Sequence, residues 1–214
     1  MRVAILGASG TIGSQLVREA LDRGHSVIAV VRRPEAAEGL PAAAEVRLAD
    51  VDDPAALRAA VAGAEAVITA LGGGASGRPQ LVAEAAPVLL AELAAAGVPR
   101  LLVVGGAGSL EDEPGKQLVD SPEFPAAWRP GSLAQRDALD VYRAYQGPLE
   151  WTYLSPADVI EPGERTGSYE LGEDRPVRDA AGNSRISVAD YAVAMIDELE
   201  QPRFSGTRFT VGYA

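Results

Sequence analysis

The sequence predicts a doubly wound α/β fold, in which helices cover both faces of a mostly parallel β-sheet. Three observations support this prediction. Short apolar runs alternate with stretches of helical periodicity, most connections between them are short, and the first apolar run ends in a glycine-rich turn. At 214 residues the chain is long enough for a sizeable core, and we expect one domain over residues 1–214.

Seven apolar runs are predicted to form the strands of this sheet. They are short, rich in aliphatic residues and bounded by glycine, proline or charged residues, which is typical of strands buried on both faces. In chain order they are residues 2–7, 26–32, 45–50, 64–71, 99–106, 150–156 and 207–213.

Five segments between these strands are predicted to be helices, from the spacing of their apolar residues and from their end signals. In chain order they are residues 11–24, ending at Gly24; 53–63, opening with Asp53 and Pro54; 79–97, with Pro87 as a candidate kink; 131–147, with Ser132 as N-cap; and 187–202.

Two segments, residues 107–130 and 157–186, fit neither pattern. Both are rich in glycine, proline and charged residues, and both follow the carboxyl end of a predicted strand. Ligands of doubly wound folds bind beyond those strand ends, so we expect both segments to be substrate-side loop insertions. The alternative is that they are only long surface loops.

The glycine-rich turn predicts a dinucleotide site of the Rossmann type. Gly7 permits a sharp turn after the strand, Gly10 lets backbone N–H groups approach a pyrophosphate, and Gly13 lets the helix pack closely on the strand. The phosphates would meet the positive end of that helix. The alternative is a tight turn whose glycines serve packing alone. The cofactor-binding residues predicted in this turn are Gly7, Ser9, Gly10, Thr11, Ile12 and Gly13.

The end of the second strand predicts which dinucleotide binds. An NAD site usually has an acidic residue there to hold the ribose 2′-OH, whereas this chain has "VVRRPE", with Arg32 and Arg33. Guanidinium groups suit a 2′-phosphate, so we expect NADP(H) to be preferred and NAD(H) to be usable. The alternative is that each arginine is a solvated surface charge.

The composition excludes several classes of function. The chain has no cysteine and one histidine, which rules out disulfides, thiolate chemistry and a multi-histidine metal site. Its net charge of −11 argues against nucleic acid as a partner. No apolar run approaches the ~18 residues of a membrane span, and the N-terminal segment lacks a signal-peptide pattern. We therefore expect no metal, no membrane partner and a cytoplasmic location, and the oligomeric state stays open.

Several stretches together resemble a known family. "GASGTIG", "VVRRPE", "LADVDD", "TALGGG" and "LLVVGGAGSL" are similar to the atypical short-chain dehydrogenase/reductase group, which binds NAD(P)H. Within that group, "SPADVIEPGERTGSYELG" and "NSRISVADYAVAMIDELEQP" resemble NADH-flavin reductases and, more distantly, biliverdin reductase B. The resemblance covers nearly the whole chain and implies the same Rossmann fold.

The resemblance also implies roles for matching positions at the strand ends. Asp50 is expected to contact the adenine, and the alternative is that it is only a turn residue that precedes a helix. The adenine would lie against Asp50 and Val51, the middle of the cofactor against Ala70, Leu71 and Gly72, and the nicotinamide against Gly105, Gly106 and the residues up to Ser109, with its carboxamide and ribose along Ser155, Pro156, Ala157, Asp158 and Val159.

One departure from the family limits the chemistry. Short-chain dehydrogenases use a Tyr-x-x-x-Lys pair, in which the lysine lowers the pKa of the tyrosine for acid/base work. This chain has no such pair, and its single lysine is Lys116. Alcohol or ketone oxidoreduction and sugar epimerisation by that mechanism are therefore poorly supported.

Reduction of a flavin, or of a similar planar conjugated acceptor, needs no strong acid, because proximity does most of the work. We therefore expect hydride transfer from NADPH to a small planar acceptor, with flavin as a substrate rather than a bound prosthetic group. Ser109 and Asp158 are the candidate catalytic residues, and Phe124 and Trp128 the candidate platform for the ring.

Two other readings stay open for the substrate and the function. The acidic run Glu111-Asp112-Glu113 is expected near the mouth of the substrate site, where it would repel a phosphate group and favour riboflavin over a phosphate-bearing flavin. The alternative is that the run is only a solvated acidic loop. The missing Tyr/Lys pair fits a non-catalytic NADP(H)-sensing regulatory protein equally well. An isomerase that retains its cofactor would need an acid/base pair that the sequence does not offer.

Overall fold

The computed structural model describes residues 1–74 and 77–214, and it confirms the predicted fold class. In chain order the strands are β1 Arg2–Leu6, β2 Ser26–Val31, β3 Glu45–Leu48, β4 Ala66–Thr69, β5 Arg100–Val104, β6 Glu111–Glu113, β7 Lys116–Gln117, β8 Glu150–Ser155, β9 Val159–Glu161, β10 Glu170–Gly172, β11 Arg185–Ser187 and β12 Thr207–Gly212. The helices are α1 Thr11–Asp22, α2 Pro54–Ala60, α3 Leu81–Ala95, α4 Arg129–Ala144 and α5 Val188–Glu200.

Eight strands form the central sheet in the order β10-β12-β8-β5-β4-β1-β2-β3. Seven of them pair in parallel, and only the edge strand β10 is antiparallel to its neighbour β12. The strand order reverses at β1, which pairs with β2 on one side and with β4 on the other. The carboxyl ends of the parallel strands therefore share one edge, and the crevice at this reversal is where such folds bind ligands.

The sheet is buried on both faces because alternate residues of each strand point to opposite sides. Val3 and Ile5 of β1 pack in the same core as the buried residues of α1 and α5. Ala4 and Leu6 pack with those of α2, α3 and α4 on the other face. Among the helices of the described residues, none is long and apolar enough to cross a membrane.

The structure corrects two details of the predicted elements. The segment 157–186 is not all loop, because β10 lies within it and extends the central sheet. Helix α4 begins at Arg129 rather than residue 131, and the N–H of Ser132 donates to the Trp128 carbonyl at 3.0 Å instead of Ser132 capping the helix. Helix α3 continues through Pro87.

A buried ion pair connects β5 to the end of α5. Glu198 is 2% exposed, and its Oε1 accepts from Arg100 Nη2 at 2.9 Å. The same carboxylate accepts from the backbone N–H groups of Arg203 and Phe204. Glu198 thus accepts hydrogen bonds from backbone N–H groups of the turn between α5 and β12, and it is also the counter-ion of the buried guanidinium.

Replacing this carboxylate should destabilise the chain strongly. Glu198→Ala leaves Arg100 as a buried charge without its counter-ion, so we expect the free energy of unfolding to fall by about 3–5 kcal/mol. The matched control is Glu92→Ala, which removes the partner of the exposed Arg58 and should cost at most about 1 kcal/mol. Urea denaturation of both variants tests this, and equal losses would contradict it.

Candidate cofactor and substrate site

The turn between β1 and α1 requires glycine at two positions. Gly7 has a φ of +73°, and a Cβ there would lie 2.6 Å from the carbonyl oxygen of Ala70. A Cβ on Gly13 would lie 2.1 Å from the Gly7 carbonyl oxygen. The helix therefore packs directly on the turn, as the sequence indicated.

The N-terminus of α1 is open to a ligand. Gly10 is its N-cap residue and provides no side-chain hydrogen bond. The first-turn N–H groups, from Thr11 to Gly13, lack carbonyl partners within the helix and carry its positive dipole end. Thr11 is exposed, Ile12 is partly buried, and Gly13 is buried against the turn.

A cavity of about 280 Å³ lies beside this turn, at the ends of β1 to β4. Arg32 and Arg33 are exposed in its wall, and neither guanidinium forms a hydrogen bond or ion pair within the described part of the chain. Uncapped N–H groups and two available guanidiniums fit a dinucleotide with an additional phosphate. The predicted cofactor residues that line this cavity are Gly7, Ser9, Gly10, Arg32, Arg33, Asp50, Val51, Ala70, Leu71 and Gly72.

Gly105 and Gly106 follow the end of β5 and do not line this cavity. A Cβ on Gly105 would lie 2.0 Å from the ring of Tyr153, and one on Gly106 would lie 2.9 Å from Gln135 Cβ. Their lack of side chains lets β5 pack closely against β8 and α4.

A second cavity, of about 410 Å³, lies beyond β5 and β8, and the two insertions form its walls. Phe124 and Trp128 come from the first insertion, and Trp128 is 59% exposed. The Arg129 guanidinium carbon lies 5.7 Å from the centroid of the Phe124 ring. The predicted site residues that line this cavity are Phe124, Trp128, Pro156, Ala157, Asp158 and Val159.

Asp158 is the polar group of this cavity with the most unusual surroundings. Its Oδ2 lies 3.0 Å from Arg178 Nη1, whereas its Oδ1 is buried and has no hydrogen-bond partner in the structure. Burial raises the pKa of Asp158, the ion pair with Arg178 opposes this effect, and the nearby charge of Asp112 adds to it. Asp158 is therefore protonated more readily than an ordinary aspartate.

The placement of Ser109 does not suit the predicted catalytic role. Ser109 is 3% exposed and does not line the second cavity. Its Oγ accepts from Arg208 Nη1 at 3.4 Å, and Arg208 is itself buried. The serine hydroxyl lies behind the strand end rather than beside the expected ligand.

The acidic run is less negative towards the cavity than its sequence suggests. Glu111 accepts from the Gly115 N–H at 2.8 Å, and Glu113 pairs with Lys116 at 2.5 Å. Of these three acidic residues only Asp112 lines the cavity, where Arg178 Nη2 donates to its Oδ1 at 2.7 Å. Arg178 is a site residue that the sequence reasoning missed.

No tyrosine and lysine come together in the described residues. The Tyr153 hydroxyl donates to Gln135 Oε1 at 2.7 Å, and that of Tyr191 donates to the Leu154 carbonyl at 2.7 Å. Burial raises the pKa of both phenols. Lys116 is exposed on the β6–β7 hairpin.

The chain is similar to several solved structures over its whole length. A protein of Burkholderia pseudomallei, provisionally described as exported, is 43% identical, with 100% of both chains covered and a TM-score of 0.90. One from Bacteroides thetaiotaomicron, provisionally described as an epimerase, is 41% identical over 99% of this chain and 96% of the other, with a TM-score of 0.90. One from Streptococcus pneumoniae, provisionally described as an NADH-flavin reductase, is 34% identical over 100% of both chains, with a TM-score of 0.88.

Residues 7–199 match the family described as NAD(P)H-binding. This match begins at the first glycine of the turn and ends within α5, so it includes the whole glycine turn and both insertions. The predicted resemblance to NAD(P)H-binding proteins is thereby confirmed, and the chain belongs to the NAD(P)H-binding family.

Proposed function

We propose that this protein is an NADPH-dependent oxidoreductase that reduces a flavin or a similar planar conjugated acceptor. The observation that carries the proposal is the position of the two cavities on one edge of the sheet. One has the glycine turn and two arginines in its wall, and the other has Phe124 and Trp128. The similarity to a protein provisionally described as an NADH-flavin reductase also supports it.

In this proposal the first cavity holds the cofactor. The N–H groups at the start of α1 and the hydroxyl of Ser9 would bind the pyrophosphate, and Arg32 and Arg33 the 2′-phosphate. When bound, NADPH supplies a hydride, so that NADPH, the acceptor and one proton yield NADP⁺ and the reduced acceptor. We also propose that the protein binds neither nucleic acid nor a membrane. Its proposed location is the cytoplasm.

The second cavity would hold the acceptor beside the reactive end of the cofactor. Phe124 and Trp128 provide flat apolar surface for a conjugated ring, and the cavity excludes part of the surrounding water. Asp158 would hold the proton that the reaction consumes, because burial raises its pKa above that of an ordinary aspartate. Ser109, buried against Arg208, has no part in this scheme.

The direct test is the oxidation of NADPH and NADH, followed by absorbance, with and without riboflavin, FMN or FAD. We expect saturable, flavin-dependent oxidation with a preference for NADPH. Tight NADPH binding without turnover on any acceptor tested would refute the reductase and favour an NADP(H) sensor.

Replacing Arg32 should change the cofactor preference. Arg32→Glu places a carboxylate where the 2′-phosphate is expected, so we expect the affinity for NADPH to fall roughly 10- to 100-fold while that for NADH changes little. Titration of each nucleotide by fluorescence measures this. Arg18→Glu is the matched control, since it makes the same change in net charge on a residue that does not line the cavity. An equal loss for both nucleotides would contradict the assignment.

Asp158→Asn should raise stability at neutral pH and remove a pH dependence from catalysis. The pKa of Asp158 is higher in the folded than in the unfolded chain, so its stabilising contribution is present at low pH and is lost as the pH rises through the folded-state value. The free energy of unfolding of the variant should therefore exceed that of the wild type near pH 8. This difference should vanish below the ordinary aspartate pKa of about 3.9.

The corresponding kinetic result is a loss of activity in the wild type as the pH rises, and a flatter profile in Asp158→Asn. Asp120→Asn is the matched control, because Asp120 also has an arginine partner but is exposed and outside the cavity. Identical pH profiles for wild type and Asp158→Asn would show that Asp158 holds no proton for the reaction.

A further inference from the structure

Arg178 joins the two insertions in the wall of the second cavity. Its Nη2 donates to Asp112 of the first insertion at 2.7 Å, and its Nη1 lies 3.0 Å from Asp158 at the start of the second. Nη1 also donates to the Gly182 carbonyl at 3.1 Å. Three contacts, one from the first insertion and two from the second, hold the guanidinium in one orientation.

The guanidinium still has donors available to a ligand. Of its five N–H groups, the Nε–H and one on Nη2 have no hydrogen-bond partner within the part of the chain that the structure describes. The side chain is 36% exposed and lies in the same cavity wall as Phe124 and Trp128. A fixed donor beside an aromatic platform suits a planar ring that carries a carbonyl group.

The charges around Arg178 determine which carbonyl compounds fit. A guanidinium with free donors binds phosphates and carboxylates strongly when its charge is not balanced. Here the Asp112 carboxylate pairs with it and balances its charge whether or not Asp158 holds a proton, and Glu123 also lines the cavity. The wall therefore offers hydrogen-bond donors without a net positive charge.

We infer that Arg178 binds the carbonyl edge of the acceptor, and that Asp112 balances its charge so that uncharged carbonyl compounds bind in preference to phosphate-bearing ones. This inference rests on the proposed function, because it assigns the acceptor to the second cavity. It makes Arg178 a binding residue and Asp112 a positioning residue that sets specificity.

The experiment measures the dissociation constants of riboflavin and FMN by quenching of flavin fluorescence, with NADP⁺ present, so that no turnover is required. We expect the wild type to bind riboflavin more tightly than FMN. Arg178→Met should weaken riboflavin binding about tenfold or more. Asp112→Asn keeps the guanidinium and removes its counter-charge, so FMN binding should improve relative to riboflavin by roughly fivefold.

Arg58→Met is the matched control, since Arg58 also pairs with a carboxylate but does not line the cavity. It should leave both constants unchanged. Riboflavin binding by Arg178→Met that equals the Arg58→Met control, a wild-type preference for FMN, or no flavin binding by the wild type would each overturn the inference. The expected binding shifts without any turnover would support the inference while refuting the reductase.

Discussion

The close contact between the first turn and its neighbours is the constraint on which the rest of the structure depends. A side chain on Gly13 would overlap the Gly7 carbonyl, and one on Gly7 would overlap the Ala70 carbonyl. The turn therefore fixes α1 against β1 and β1 against the end of β4 at the same time. The first cavity exists because these three elements meet without side chains between them, which also leaves the N-terminus of α1 facing it.

The second cavity depends on polar contacts rather than on close backbone packing. Arg208 of β12 is buried, pairs with Asp174 of the second insertion and donates to Ser109 of the first. Arg178 makes a separate connection from the second insertion to Asp112. The two insertions are thus joined both within the protein, where the Glu111 N–H also donates to the Asp174 carbonyl at 2.9 Å, and at the cavity wall.

The sequence predicted best those features that repeat over many residues. Short apolar runs predicted the seven parallel strands, because these are buried on both faces. Helical spacings predicted the five helices, because burial of one helix face leaves a periodic pattern. The three-residue strand β10 leaves no such pattern. Ion pairs between distant segments leave none either: Arg178 stands in a loop rich in charged residues, and its pairing with Asp112, 66 positions away, is decided by the tertiary fold. For the same reason the burial of Ser109 could not be predicted from its neighbours.

Asp190 in α5 and Asp158 in the second insertion are both aspartates, but their surroundings shift their pKa values in opposite directions. Asp190 is fully buried, and burial alone would raise its pKa. Hydrogen bonds from the Thr166 and Tyr213 hydroxyls and from the Gly167 N–H outweigh burial and lower that pKa. Asp158 is more exposed, yet burial raises its pKa, because its buried Oδ1 has no hydrogen-bond donor and the ion pair with Arg178 does not outweigh the loss of water. An unpaired buried oxygen costs stability, and the chain places it in the wall of the cavity with the aromatic platform. A buried carboxylate oxygen that the protein leaves without a donor is one that a proton can complete.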